Sequence, residues 1–395
     1  MKRTMEKISI LSLSLLLIST YAVSAVLPAM LEHFSDHSRT EVEQLIPITS
    51  FAIMIVILLN GWLSKILSER ISIILGIILI AAAGSVPVFV QQYEVMFVSR
   101  LLLGVGIGLV NFHAINLINK RYEGNERSSL LGFRSAAEML GNAALTLIAG
   151  QLLLFGWNRA FLVYLAAIPV LLLYLCFVPK HASEMKREKV SEQDRKKKSW
   201  TDIRGHLGFL ISSAFLGAMV ICMNSANTLR IPSLVLERGI GTESQASVVL
   251  SAMMASGILG GICFGGLARK LKGKMTAVSM MLFGGGMMLI AVSGNMFVLG
   301  LGAVLAGASQ NLVGTALFNN VGEKLPTGLV SLGTTCVLVG CNLGSSSSAL
   351  LLKLIGYFSE KMSASFVVYA TVMLGFGLIM LLRVYVENKA EKGNP

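Results

Sequence analysis

KHASEMKREKVSEQDRKKKSWTDIR, residues 180–204, is the stretch around which the rest of the chain organises. It carries nine lysines and arginines, four of them consecutive at Arg195, Lys196, Lys197 and Lys198. No other connection in the chain resembles it. Six long apolar runs precede it, at about 8–31, 42–63, 71–90, 95–119, 128–154 and 158–178. Six follow it, at about 206–232, 243–268, 275–293, 296–320, 326–352 and 362–383. Each is close to the ~20 residues that span a bilayer as a helix. The chain of 395 residues is 54% hydrophobic and only 14% charged, against roughly 25% charged residues in soluble domains. Backbone polar groups in hydrocarbon must be satisfied internally, which allows helices or a closed barrel. The runs do not alternate, and that excludes the barrel. The expected fold is an all-α membrane protein with twelve transmembrane helices in two homologous six-helix bundles. The expected divisions are residues 1–179, a cytoplasmic basic linker at 180–204, and residues 205–395.

Charge sets the orientation. The formal net charge is +12, which in a soluble protein would suggest nucleic acid as a partner. Here the basic residues lie in short connections, and the positive-inside rule accounts for them. With the N-terminus inside, 25 lysines and arginines fall on the inner side and six on the outer: Arg39, Arg159, Arg230, Arg238, Lys353 and Lys361. The first outer loop is acidic, with Glu32, Asp36, Glu41 and Glu43. Both termini and the linker are therefore expected in the cytoplasm, in the plasma membrane of a bacterial cell. The early apolar run continues to about Leu31, long enough to span, and reads as a retained first helix rather than a leader. Cys176, Cys222, Cys263, Cys336 and Cys341 all sit in apolar runs without a CxxC pair, which suits reduced packing residues.

An internal repeat supports two halves. Gly61, Leu63, Lys65, Leu67 and Arg70 correspond to Gly265, Leu267, Arg269, Leu271 and Lys274 at an offset of 204, as do Pro28 and Pro232. At an offset of 200, Met96-Phe97-Val98 meets Met296-Phe297-Val298, and Asn111 meets Asn311. Parallel six-helix repeats are a known transporter plan with the site at their interface.

On these features the chain resembles the major facilitator superfamily over nearly its whole length. The loop after the second run looks like that family's G-x-L-x-D-R-x-G-R-K: Gly61, Leu63 and Arg70 fit, while Lys65 stands in the acidic position and Ser68 in that of the second glycine. Gly265, Leu267 and Lys274 form an equally divergent copy, with Arg269 matching Lys65. Arg100 followed by Gly104, Gly106 and Gly108 looks like the R-x-x-x-G-x-G motif of proton-coupled members, especially the twelve-helix drug:proton antiporters. The antiporter motif of helix 5 is poorly matched, since Gly141 is followed by Asn142. The resemblance implies alternating access, with the loops at Gly61, Lys65, Arg70, Gly265, Arg269 and Lys274 acting as conformational switches. It also implies a coupling role for Arg100.

Charges placed deep in a span cost ~2.5 to 3.5 kcal/mol on insertion scales and mark function. Arg134, Glu138 and Asn142 recur at i, i+4 and i+8, so they share one helix face. Glu138 lies ~15 Å from the inner end at 1.5 Å per residue. It is the proton-carrier candidate, and Arg134 its partner. Their bland reading is a static, self-neutralising pair. Arg100 and Asn111 are eleven residues apart and expected on one face, towards a cavity; otherwise Arg100 snorkels to the headgroups. Asn142, Asn224, Asn227, Arg230, Gln310 and Asn311 complete the candidate cavity, although small polar residues also serve helix packing.

There is no H-E-x-x-H, G-x-S-x-G or Walker loop, so no enzyme activity, cofactor or metal is expected. The expected partners are protons, the lipid bilayer and a small-molecule substrate, with no nucleic acid, for a monomer. The leading function is proton-coupled efflux of small amphipathic compounds or drugs. The alternative is a permease for a small, anionic metabolite, and a remote one a membrane sensor or lipid flippase. In a cysteine-free background, Ser38→Cys should react with an impermeant maleimide in intact cells and Ser199→Cys only after permeabilisation. The reverse pattern would invert the topology.

Overall fold

The computed structural model describes residues 2–17, 19–122, 124–178, 200–359 and 361–392. The basic run Arg195 to Lys198, with most of the expected linker, lies outside them. Of Gly61 and Lys65 only the helical backbone is described. The chain is a bundle of helices: α2 (Ile48–Ile66), α3 (Glu69–Phe89), α4 (Tyr93–Arg121), α5 (Gly124–Leu152) and α6 (Trp157–Ala166, a 3-10 segment, continuing as Ala167–Phe177) in the first half, preceded by a broken α1. The second half holds α7 (Trp200–Glu237), α8 (Glu243–Leu271), α9 (Met275–Val292), α10 (Met296–Lys324), a broken α11 and α12 (Ser363–Lys392). Among the described residues, nine helices are long and apolar enough to cross a membrane alone. The two broken helices and α2 complete twelve.

The expected runs match these helices apart from two breaks. α1 consists of Lys2–Ser14 and Leu27–His33, joined through 3-10 turns at Ser19–Tyr21 and Ser24–Val26. The cause is local. Ser19 Oγ donates to Leu16 O at 2.8 Å, and Ser24 Oγ to Tyr21 O. Hydroxyls that return to backbone carbonyls compete with the helical ladder and bend it. α11 bends by 45° between Thr327–Ser346 and Ser348–Gly356. There Ser346 Oγ and Ser347 Oγ both donate to Leu343 O.

The repeat seen in the sequence is built into the packing. Gly76 of α3 and Gly106 of α4 face each other, so a Cβ at either would lie 2.7 Å from the other's carbonyl oxygen. Their counterparts on α9 and α10 are Gly286 and Gly302, at 2.9 Å. Gly141 of α5 rests on the backbone of Leu15 in α1, just as Gly340 and Gly344 of α11 rest on Ala214 and Ala218 in α7. Lipid tails are as apolar as the side chains themselves, so close backbone approach is what holds such helices together. Similar glycine contacts thus recur in both halves.

One end of the bundle, called here the linker end, gathers the start of α1, the end of α6 and the start of α7. Arg121 of α4 pairs there with Glu6 of α1, and Arg70 Nη1 donates to Val178 O at 2.8 Å. The opposite, distal end carries a short helix, Arg39–Gln44, between α1 and α2. A capping box fixes it: Glu41 N donates to Ser38 Oγ at 3.4 Å, and Ser38 N to Glu41 Oε2 at 2.7 Å. These bonds hold the exposed Glu41 carboxyl below its ordinary range.

The two halves meet through α2 with α11, α5 with α8, and α1 with α7 and α8. Gly106→Ala is expected to lower stability by about 1–3 kcal/mol, because the contacted atoms are backbone. Gly314→Ala, where a Cβ would meet nothing within 4 Å, should be neutral or slightly stabilising. Thermal unfolding of the purified variants in detergent checks the contrast.

Candidate functional site

The site is assembled near the middle of α5, which supplies Arg134, Glu138 and Asn142 one turn apart. Arg134 Nη2 lies 2.5 Å from Glu138 Oε1 and donates to Asn111 Oδ1 of α4 at 3.0 Å. The side chains of Arg134 and Glu138 are 12% and 17% exposed. The pair is thus largely enclosed but not sealed. Asn142, one turn nearer the distal end, is buried, with its side-chain oxygen lacking a partner.

The second half approaches the same place through Met139, the residue after Glu138. Asn311 of α10 donates from Nδ2 to Met139 Sδ at 3.6 Å and to Gly257 O of α8. A Cβ on Gly257 would lie 3.1 Å from that sulfur. Asn111 and Asn311, the residues matched by the repeat, thus both reach α5, Asn111 through Arg134 and Asn311 through Met139. Gln310 beside it is half-buried. Asn224 on α7 is half-buried, and Asn227 is 1% exposed with neither amide atom partnered.

Arg230 lies further along that stripe and belongs to the distal end. It is not at the outer surface but buried, 3.2 Å from Glu43 Oε1. Glu43 is itself 1% exposed and also accepts from Arg39 Nε at 2.8 Å. This ion pair joins the two halves. Sequence reasoning placed Glu43 in an acidic outer loop, and only the i, i+4 spacing from Arg39 hinted at a structural task.

Arg100 departs from the expectation that it faces a cavity beside Asn111. It is 1% exposed, and its Nη2 donates to Gly84 O at 3.0 Å and its Nη1 to Tyr164 OH at 3.3 Å. Its guanidinium lies over the rings of Phe161 and Tyr164, at 4.9 and 5.1 Å from their centroids. α3 and α6 close around it because Gly84 has no side chain to keep Tyr164 away. Tyr164 OH in turn donates to Ser19 O at the break in α1, at 3.0 Å. Arg100 thus locks four helices of the first half together, where a helical wheel for α4 alone shows only a direction.

The expected switch loops are described in part. Arg70 ties the start of α3 to the end of α6 and lies over Tyr174 at 5.7 Å. Arg269 Nε donates to Gly265 O within its own helix at 3.2 Å, and Lys274 is exposed. Both contacts stay within one half.

The described contacts between halves run from mid-depth to the distal end. Gln151 pairs with Ser244 at 3.4 Å, Thr146 donates to Met254 Sδ at 3.3 Å, and Gln44 donates to Ser346 O at 2.9 Å. Ser345, at the break in α11, shares hydrogen bonds with Tyr21 OH at 2.7 Å and Ser50 Oγ at 2.8 Å. Towards the linker end, a Cβ at Gly265 or Gly266 of α8 would meet nothing within 4 Å. Among the described residues no group of three or more His, Cys, Asp or Glu could hold a metal ion.

Comparison with known proteins gives a consistent picture. Residues 10–349 match the profile of the Major Facilitator Superfamily. The arabinose-proton symporters of Escherichia coli strain K12 and of Escherichia coli O157:H7 are each 24% identical over 156 residues, which is 40% of this chain and 33% of theirs. The chain thus aligns with about a third of the length of these curated relatives. Among solved structures, a POT family transporter in complex with a thioalcohol-conjugated peptide superposes with a TM-score of 0.77 at 15% identity, covering 96% of both chains. A peptide transporter POT in complex with sulfate gives 0.76 at 13% identity, covering 95% of this chain and 94% of that one. A POT family transporter in complex with 5-aminolevulinic acid gives 0.73 at 14%, covering 96% of both. At such identities these structures share the fold alone.

Arg100→Lys is expected to cost about 1.5–3 kcal/mol of stability, the range for a hydrogen bond to a charged group. A lysine cannot reproduce the forked donor and stacking geometry. Arg159→Lys, on the exposed distal surface, should stay within about 0.5 kcal/mol. Equal unfolding midpoints would remove Arg100 from the core of the first half.

Proposed function

The chain belongs to the Major Facilitator Superfamily, as a multi-pass membrane transporter and not an enzyme, and on that premise we propose that it is a proton-coupled exporter of small amphipathic compounds. The observation that carries this reading is the Arg134–Glu138–Asn111 cluster, a largely enclosed ion pair near the middle of α5, beside its contact with α8 and α10. Protonation of Glu138 removes its charge and releases Arg134 from the pair. Loss of the proton restores it. A carboxylate that alternates between a guanidinium and a proton couples proton binding to the positions of α4 and α5. The polarizable side chains of Met139, next to Glu138, and of Met254, against Thr146 two turns along α5, suit a cavity that adapts to different solutes.

With both termini and the linker in the cytoplasm, the distal end faces outward. Closure at Glu43–Arg230 and Ser345, with α8 open at Gly265 and Gly266, then corresponds to an inward-facing state of an alternating-access cycle. The switch loops at Gly61, Lys65 and Arg70 and at Gly265, Arg269 and Lys274 lie at the end that would close next. Arg100 acts in this scheme by positioning α3, α4 and α6. Each elementary charge moved across 100 mV contributes ~2.3 kcal/mol to driving it.

A second reading is uptake of a small anionic metabolite. It is favoured by the cationic character of the path, in which Arg134 and Arg230 each face one carboxylate that a solute could displace.

Glu138→Gln keeps a hydrogen-bonding partner for Arg134 but cannot ionise. In proteoliposomes, pH-driven movement of a hydrophobic cation such as tetraphenylphosphonium should fall at least tenfold, with unchanged thermal unfolding. Wild-type-like pH-driven transport in the variant would take Glu138 out of the mechanism. Stabilisation of the wild type by organic anions but not by hydrophobic cations would favour the second reading.

A further inference from the structure

A cavity of about 290 Å³ opens at the distal end between the short helix Arg39–Gln44, α7, the end of α11 and the start of α12. Its polar lining is Arg39, Arg230, Lys361, Ser359 and Ser365, with Met362 at its rim. None of the described lining residues is acidic. Glu43 sits behind the two arginines, and Glu237 lines an adjoining hollow with Arg39 and Met362, so the positive charge is offset in part.

The donors here are poorly matched. Arg39 Nη2 and Arg230 Nη1 both donate to Met362 Sδ, at 3.3 and 2.8 Å. A thioether is a weak acceptor, whereas guanidinium groups pair best with carboxylate or phosphate oxygens in a forked arrangement. Arg230 Nη1 also meets Glu43, so the surplus donor is Arg39 Nη2, whose described acceptor is the thioether alone. The amino end of α12, which starts at Ser363, opens on the same space and adds the positive end of a long helix dipole. Lys361 is exposed at the mouth.

We propose that this vestibule is a binding site for a small anion bearing a carboxylate or a phosphate. The anion takes the donors now turned to Met362, with Lys361 and the hydroxyls of Ser359 and Ser365 around it. The site is separate from the Arg134–Glu138 cluster, and its existence does not depend on which solute crosses the membrane. Because the same guanidiniums hold Glu43, an anion bound here competes with the ion pair that joins the halves.

The test uses the full chain in a neutral, lipid-free detergent, with inorganic phosphate as probe and sodium chloride at matched ionic strength as reference. Phosphate is expected to raise the unfolding temperature saturably in the wild type. Lys361→Gln, which removes a mouth charge without disturbing the Glu43 pair, should weaken the apparent affinity about tenfold. Arg159→Gln, outside the vestibule, should leave it unchanged. Arg39→Gln should weaken it further. No saturable shift beyond the salt reference, or the same affinity in wild type and Lys361→Gln, would overturn the proposal. Repeating the titration in phosphatidylcholine nanodiscs, with and without phosphatidylglycerol, identifies the source. Loss of the phosphate effect only with phosphatidylglycerol means the site is filled by a lipid headgroup. Persistence in both means a soluble anion. Either result upholds the anion chemistry.

Discussion

Hydrocarbon offers no partner to a charge or an unpaired backbone group, and the arrangement of this protein follows from that. Each charged side chain described within the bundle has been given a partner, and each partner fixes helices relative to one another. Arg100 takes the carbonyl of Gly84, the hydroxyl of Tyr164 and two ring faces. Arg134 takes Glu138 and Asn111. Arg230 takes Glu43 from the opposite half. An uncompensated buried charge costs several kcal/mol, so these groupings are constraints on packing as much as chemical sites. Their differences are informative. The Arg100 grouping lies within one half and is sealed, which suits a fixed joint. The Arg134 grouping is partly open at the meeting of the halves, which suits exchange of a proton. The Arg230 grouping spans the halves at one end, which suits a contact that forms and breaks.

Glycine supplies the complementary half of the design. With apolar lipid on the outside, helices gain little by hiding leucine from it, and close backbone approach has to hold them together. The reciprocal pairs Gly76–Gly106 and Gly286–Gly302 do this between equivalent helices in the two halves. The seam between the halves is built differently. Besides glycine approaches such as Gly257 on Met139 and apolar packing such as Ala25 with Ile231, it carries described hydroxyl, amide, thioether and ion-pair contacts, with Ser345 bonded to Tyr21 and Ser50 from across the interface. Close packing within each half and a hydrogen-bonded seam between them are the features that rocking of two repeats around a central site would use.

The breaks in α1 and α11 belong to the same seam. Tyr21 lies in the broken part of α1 and Ser345 beside the break in α11, and the two are bonded to each other. Irregular backbone at membrane depth is tolerated where it is buried in protein. Here the bends turn side chains on both helices towards one point, so the distal closure is centred on local structure that differs from the regular helices around it.

Much of this was legible in the chain before any coordinates. The twelve apolar runs, the single basic connector and the offset of 200–204 residues determine a two-bundle membrane fold, because span length and backbone satisfaction leave no other solution. The i, i+4, i+8 spacing of Arg134, Glu138 and Asn142 likewise settles that they share a face, since helical periodicity is a local property. Partners across helices are not local. That Arg100 turns into α3 and α6 and away from Asn111 depends on the space Gly84 leaves beside Tyr164. That an outer-loop Glu43 is among the most buried carboxylates, held by Arg39 and Arg230, depends on how the short distal helix docks against α7. The serine-induced bends were written in Ser19, Ser24 and the run from Ser345 to Ser348, but a hydroxyl bends a helix only where packing favours the bend. One-dimensional pattern fixes which residues lie on which helix face; tertiary structure alone decides what each face meets, because those contacts join different helices, from 16 positions apart at Arg100 and Gly84 to 324 at Tyr21 and Ser345.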